Sequence, residues 1–132
     1  MAIDLHEYKK LYLQTSQELL KKIQDGVSAL KENPTDMNTL SEVHRAAHSL
    51  KSQSLVMGYT QIGLAGRILE ALFLNIKDGK IEQNSELTTL VESALTAIST
   101  SLAGIREGHG EKNLSSHISA IENNTEISLL AE

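Results

Sequence analysis

Apolar residues recur every three or four positions along most of the chain, in five blocks separated by short polar or glycine-containing breaks. That spacing puts each block on one face of an α-helix. The first block carries Tyr8, Tyr12, Leu19, Ile23, Val27 and Leu30. It predicts a helix over about 4–31, capped by Asp4 and stopped by Asn33-Pro34. The second, over about 37–57, carries Leu40, Val43, Ala47, Leu50 and Met57, starts near Asp36 or Asn38, and breaks at Gly58-Tyr59. The third, over about 60–78, carries Ile62, Ala65, Ile68, Leu69, Leu72 and Ile76, with Thr60 as its expected cap and Asp78-Gly79 as its stop. Asn84 or Ser85 opens a fourth over about 85–107, with Leu87, Val91, Ala94, Leu95, Ile98 and Leu102 on its apolar face. Past Gly108-His109-Gly110, a shorter fifth helix is expected over about 111–122, with Leu114, Ile118 and Ile121 turned inward. Residues 123–132 are left as a C-terminal tail or a helix extension. Amphipathic helices with short connections predict an all-α fold: an antiparallel four-helix bundle, up-down-up-down, with a fifth C-terminal helix at one end.

Composition agrees with that plan. A chain of 132 residues suits one domain, placed here at 1–122. Apolar residues make up 40% but aromatics only 3%, so Leu, Ile, Val and Ala must fill the core, which favours helix over sheet. The single proline, Pro34, falls in a break and leaves long helices uninterrupted. A net charge of -5 argues against nucleic acid as a partner. The absence of cysteine excludes disulfides, thiol catalysis and cysteine zinc sites. Asp4 and Glu7 stand where a signal peptide needs basic residues, and no apolar run approaches the roughly 18 residues of a membrane span. A cytoplasmic protein with no membrane partner is expected. No apolar stripe is left unclaimed by the helix plan, so the domain is expected to be monomeric.

Helical projection singles out one patch. With Val43 at zero and about 100° per residue, Ala47, Leu50 and Met57 fall within about 40° of it, whereas His48 falls at about 140°, Lys51 at about 80° and Leu55 at about 120°. His48 therefore points largely to solvent. On the third helix, with Ala65 at zero, Leu69, Leu72 and Ile76 cluster within about 40°, while Glu70 falls at about 140° and Gly66 at about 100°. His48 lies eleven residues before Tyr59 and Glu70 eleven after it, so an antiparallel hairpin brings the two to one level. Lys51 and Arg67 match in the same way, eight residues on either side. An imidazole, a carboxylate and two cations thus share one surface. A carboxylate that accepts from the imidazole Nδ1–H leaves a lone pair on Nε2, which can attack a phosphoryl group. Lys51 and Arg67 are placed to meet the added phosphate oxygens. Ser52, one turn beyond His48, is small enough for close approach of a partner. Gly63 and Gly66 thin the facing side of the third helix at about 1 kcal/mol of helix propensity each, so some other demand selects them.

The run Arg45-Ala46-Ala47-His48-Ser49-Leu50-Lys51 resembles the histidine motif of histidine phosphotransfer (HPt) domains, above all the N-terminal phosphotransfer domain of CheA-type chemotaxis kinases. Gly58 fits the later glycine of that motif, and the likeness runs from the Tyr8, Glu18, Leu19 pattern of the first helix through the fourth. The resemblance implies that His48 is the phosphorylated residue, Lys51 its neighbouring cation and Glu70 the glutamate that bonds the ring. Two positions depart from the pattern. Ser52 stands where the family usually has glycine, and Arg67 where CheA-type domains often have a second histidine.

The implied function is to accept a phosphoryl group on His48 from a histidine kinase catalytic domain, or from a phospho-receiver, and to pass it to a response-regulator aspartate. No phosphate loop or kinase motif is visible, so no bound cofactor is expected and the partner domains supply ATP and Mg²⁺. Ser52, Leu55 and His44 are the expected docking residues. The start at Met1 and the CheA-like layout favour the N-terminal domain of a kinase over a free-standing carrier. Two other readings compete. One is a non-phosphorylated docking module, a degenerate relative that keeps the bundle alone. The other is a metal-binding bundle using the i, i+4 pair His44 and His48, for which no third ligand is evident. His6, His109 and His117 are expected at the surface, and Tyr8 and Tyr12 in the core or at its edge.

Overall fold

Short polar side chains start three of the five helices. Asp4 accepts from the backbone N–H groups of His6 and Glu7, Asp36 from those of Asn38 and Thr39, and Asn84 from that of Leu87. Each supplies an acceptor to donors that have no partner within the first turn. In the computed structural model, which describes residues 4–127, the helices are α1 (Leu5–Glu32), α2 (Met37–Val56), α3 (Thr60–Lys77), α4 (Ser85–Arg106) and α5 (Ser115–Thr125). There is no strand among the described residues. The tail at 128–132 and the residues before Asp4 lie outside the described part.

Helix α1 packs on α2 and α4, α3 on α2 and α4, and α5 against α3 and α4. The apolar faces meet in one core that includes Ile23, Leu30, Leu40, Leu50, Ile62, Leu69, Leu72, Phe73, Leu95 and Ile98. The anticipated stripes of α3, α4 and α5 are all buried. Pairings along the hairpins fix direction. Tyr12 meets Ser54 and Gly26 meets Val43, so α1 and α2 run antiparallel; Leu55 meets Gly63 and Lys51 meets Gly66, so α2 and α3 do too. Gly58, at φ +83, makes the turn between α2 and α3 in a conformation that a Cβ would strain.

Three expectations change. Tyr8 is exposed at 52%, not in the core, and the buried line of α1 runs instead through Leu13, Ser16 and Leu20 beside Tyr12, Ile23, Val27 and Leu30. The reason is overhang: Tyr12 meets Ser54 near the end of α2, so the first two turns of α1 run past it. Leu5, Tyr8 and Leu11 on that overhang, with Val56 at the end of α2, leave an exposed apolar patch. The expectation that no apolar stripe goes unclaimed therefore does not hold at this end. Second, α5 starts at Ser115 rather than near 111, and it runs on through Thr125 into part of the expected tail.

Third, Thr60 does not cap α3. The cap residue is Tyr59, which gives no side-chain bond. The carboxylate of Glu111, on the α4–α5 connection, takes that place and accepts from the backbone N–H groups of Gln61 and Ile62 at 3.1 Å each. Gln61 Oε1 returns a bond by accepting from Leu114 N at 2.8 Å. Lys112 N also donates to Ser101 Oγ on α4, so residues 111–114 are tied to α3 and α4 by these bonds and are not helical. Glu111→Ala will lower unfolding free energy by about 0.5–2 kcal/mol, the usual range for losing a helix cap; urea denaturation measures it.

Candidate functional site

The local sequence of α2 sets the site. Ala46, Ala47 and Leu50 are buried, and these small and branched side chains seat α2 closely on its neighbours. His48 is thereby turned outward, with its side chain 57% exposed. Across the α2–α3 hairpin, Glu70 follows the buried Ile68-Leu69 pair and lies at the rim of the core with 17% exposure. The two side chains meet: His48 Nδ1 and Glu70 Oε2 are hydrogen-bonded. Lys51 Nζ donates to the other oxygen, Glu70 Oε1, at 2.7 Å. One carboxylate therefore joins an exposed imidazole to a largely covered ammonium.

The charge state follows from these contacts. Burial alone would push the Glu70 carboxyl upward, but the hydrogen bonds and positive charges of Lys51 and His48 outweigh it and hold the group below the usual carboxylate range. At neutral pH Glu70 is ionised and can only accept, so the Nδ1 of the neutral ring must carry the proton. Nε2 is left with its lone pair on an exposed edge.

The sign of the pH effect is also fixed. A carboxyl whose folded-state pKa is depressed adds stability that is present above its unfolded value, near 4.5, and is lost as pH falls through the folded value. The native chain will therefore lose its stability advantage over Glu70→Gln in that acid range. Urea midpoints of both proteins, taken from about pH 6 down to about pH 3, check this.

The other sequence-selected residues fall around this centre. Arg67 is half-buried on α3, one turn before Glu70, and is itself engaged with a partner. Lys51, expected on the phosphate side, donates from its ammonium to the Glu70 carboxylate. His44 is half-buried one turn before His48. Ser52 is half-buried one turn after it and borders an apolar groove with Tyr8, Leu11, Tyr12, Val56 and Met57. Leu55 is 46% exposed, yet one side of it covers Gly63. Among the described residues no group of three or more His, Cys, Asp or Glu side chains could hold a metal ion, so His44 and His48 gain no third ligand there. No described helix is long and apolar enough to cross a membrane.

Sequence reading missed the groove beside Ser52. Tyr8 and Leu11 were legible as apolar residues at helical spacing, but the end of α2 relative to α1 was not. It also missed Glu111, whose partners lie about fifty residues away.

The Hpt domain family profile matches residues 7–101, which span most of α1 through most of α4. Several proteins named chemotaxis protein CheA are similar to the chain. That of Bacillus subtilis (strain 168) is 30% identical over 118 residues, covering 89% of this chain and 18% of the relative. That of Borreliella burgdorferi is 29% identical over 103 residues, covering 78% and 12%. That of Listeria monocytogenes is 22% identical over 113 residues, covering 85% and 18%. The chain thus spans less than a fifth of the length of these curated relatives. His48 and Lys51 on α2, which carries the motif, and Glu70 on α3 all lie within the matched segment, and the chain belongs to the Hpt domain family.

Proposed function

We propose that this chain carries a phosphoryl group on His48 Nε2 in two-component chemotaxis signalling, as the phosphotransfer domain of a CheA-type kinase. The observation that carries the reading is the bond between His48 Nδ1 and the Glu70 carboxylate, which frees Nε2 on a ring open to solvent. In the first step the Nε2 lone pair attacks the γ-phosphorus of ATP held by a histidine kinase catalytic domain. The P–N bond forms, the bond from phosphorus to the bridging oxygen breaks, and ADP leaves. The ring becomes cationic, and Glu70 stabilises that charge through Nδ1–H. In the second step a receiver aspartate oxygen attacks phosphorus and the P–N electrons return to Nε2. ATP and Mg²⁺ come with the partner domains. A phospho-receiver could load His48 by the reverse of this second step.

The helix neighbours support an up-down-up-down four-helix bundle as the scaffold, with α5 laid against α3 and α4. Lys51 keeps Glu70 ionised and, with three N–H donors, has others to offer a phosphate oxygen. Arg67 is a second cation on the same face. The docking face is built from His44, Ser52 and Leu55 around the ring. The apolar groove extends it: Val56 lies two turns beyond His48, about 12 Å along α2. A partner that covers His48 would also cover Tyr8, Leu11 and Val56, which accounts for apolar side chains left exposed at that end.

The test uses purified chain, a CheA kinase core and radiolabelled ATP. An acid-labile, base-stable label on the chain that leaves when a receiver domain and Mg²⁺ are added supports the reading. A chain that binds the receiver but takes no label would be a docking module.

A further inference from the structure

We infer that Gly66 is a positioning residue: by having no side chain it lets α3 approach α2 closely enough for Glu70 to reach both His48 and Lys51. The inference rests on the carrier reading for its purpose, and on packing for its substance. A Cβ built at Gly66 would lie 2.9 Å from Lys51 N, 3.0 Å from Lys51 Cα and 3.1 Å from Lys51 Cβ. Ordinary contact for such an atom is 3.4–4 Å, so relief requires at least half an ångström. Two of the three opposing atoms are helical backbone, which cannot rotate aside. The helices themselves must part or turn, at the level of Lys51 and one turn from Glu70.

Gly63 offers an internal contrast. A Cβ there would meet Leu55 Cδ2 at 2.5 Å and Cγ at 2.7 Å, but the backbone of Leu55 is no closer than 3.6 Å. Leu55 is an exposed side chain with room to swing outward. Gly63→Ala and Gly66→Ala thus make the same chemical change on the same helix, and alanine is the better helix former in both cases. Only the second forces the backbones apart.

A shift of this size matters because hydrogen bonds weaken steeply with distance and angle. Once the Glu70 bond is stretched, the neutral ring relaxes toward its intrinsic preference, with the proton on Nε2. The lone pair then sits on Nδ1, which faces α3. Both the nucleophile and the support for the cationic product are lost together.

The experiment uses the full chain with phosphoramidate, a small phosphoryl donor that needs no docking face. Its P–N bond breaks, ammonia leaves and phosphorus joins the ring nitrogen. Two readouts are taken: the labelling rate of His48, and the tautomer of its ring from ¹⁵N shifts at a pH where the ring is neutral. Gly66→Ala is expected to slow labelling by at least about 10-fold, as misplacements of this order do, and to move the proton toward Nε2. Gly63→Ala is expected to leave both readouts within about 2-fold of the native chain, a change small against a tenfold step. A folded Gly66→Ala protein with native tautomer and native rate overturns the inference. Should that variant not fold, Glu70→Asp shortens the same reach by one methylene on an unmoved helix. It must lose the tautomer bias, and an unchanged bias overturns the claim that the spacing is tight. The two readings fail separately. The tautomer tests the spacing even in a chain that takes no label, whereas absence of label from the native chain counts against phosphoryl carriage alone.

Discussion

His48→Gln will abolish the acid-labile label, reducing it to background rather than slowing it. Among the described residues, this imidazole has its Nδ1 bonded to an ionised carboxylate and its Nε2 edge in solvent. Glutamine keeps an N–H that can still donate to Glu70, but its amide nitrogen has no available lone pair and forms no phosphoramidate. The change is made at an exposed helix position, so unfolding free energy should move by no more than about 1 kcal/mol, the worth of one hydrogen bond. Circular dichroism and urea denaturation will show a folded protein, and the loss of label then belongs to the chemistry. Label that survives would point to another histidine. His44, one turn away and half-buried, is the nearest alternative.

Glu70→Gln carries the second largest effect, a drop in phosphorylation rate of roughly 10- to 100-fold, or about 1.4–2.7 kcal/mol of barrier. Two losses combine. A neutral amide can present either oxygen or nitrogen to Nδ1, so it no longer dictates the tautomer. It also offers no negative charge to the cationic ring that forms as phosphorus joins Nε2. The expected drop is smaller than the ten-thousandfold loss known for a buried histidine given the wrong tautomer, because this ring is more than half exposed and water can serve it in part. Removing the carboxylate also releases Lys51, whose ammonium now donates to Glu70 Oε1. Single-turnover labelling with a kinase core measures the rate. A rate equal to that of the native chain would show that Glu70 is only a surface carboxylate near a histidine.

Much of this was legible from residue spacing. The apolar faces of α3 and α4 follow a period close to that of the helix, and every residue read from them is buried. The turn at Gly58-Tyr59 gave the level of the site. Counting eleven residues either way brings His48 opposite Glu70 without further information, since α2 and α3 are continuous helices joined by a tight turn. What could not be read depends on how helices slide past one another. Tyr8 has the right period for burial, but it lies beyond the point where α2 ends. Glu111 caps a helix some fifty residues away, and no local signal marks a carboxylate that will travel so far. Lys51 was readable as a cation on the right face; that it would brace Glu70 depends on the separation of two backbones at Gly66. The glycine itself stood out in sequence as an unfavourable residue inside a helix. The atom it makes room for was visible only once α2 was in place.

The central claim is chemical: the phosphoryl group joins Nε2 of His48 because Glu70 holds the proton on Nδ1. Long-range ¹H–¹⁵N and ³¹P correlation spectra of the ¹⁵N-labelled chain, recorded after loading by a kinase core at alkaline pH, read the attachment atom directly. The account predicts phosphorus coupled to Nε2 of His48, with Nδ1 protonated. Phosphorus on Nδ1, or on the ring of His6, His44, His109 or His117, would contradict it.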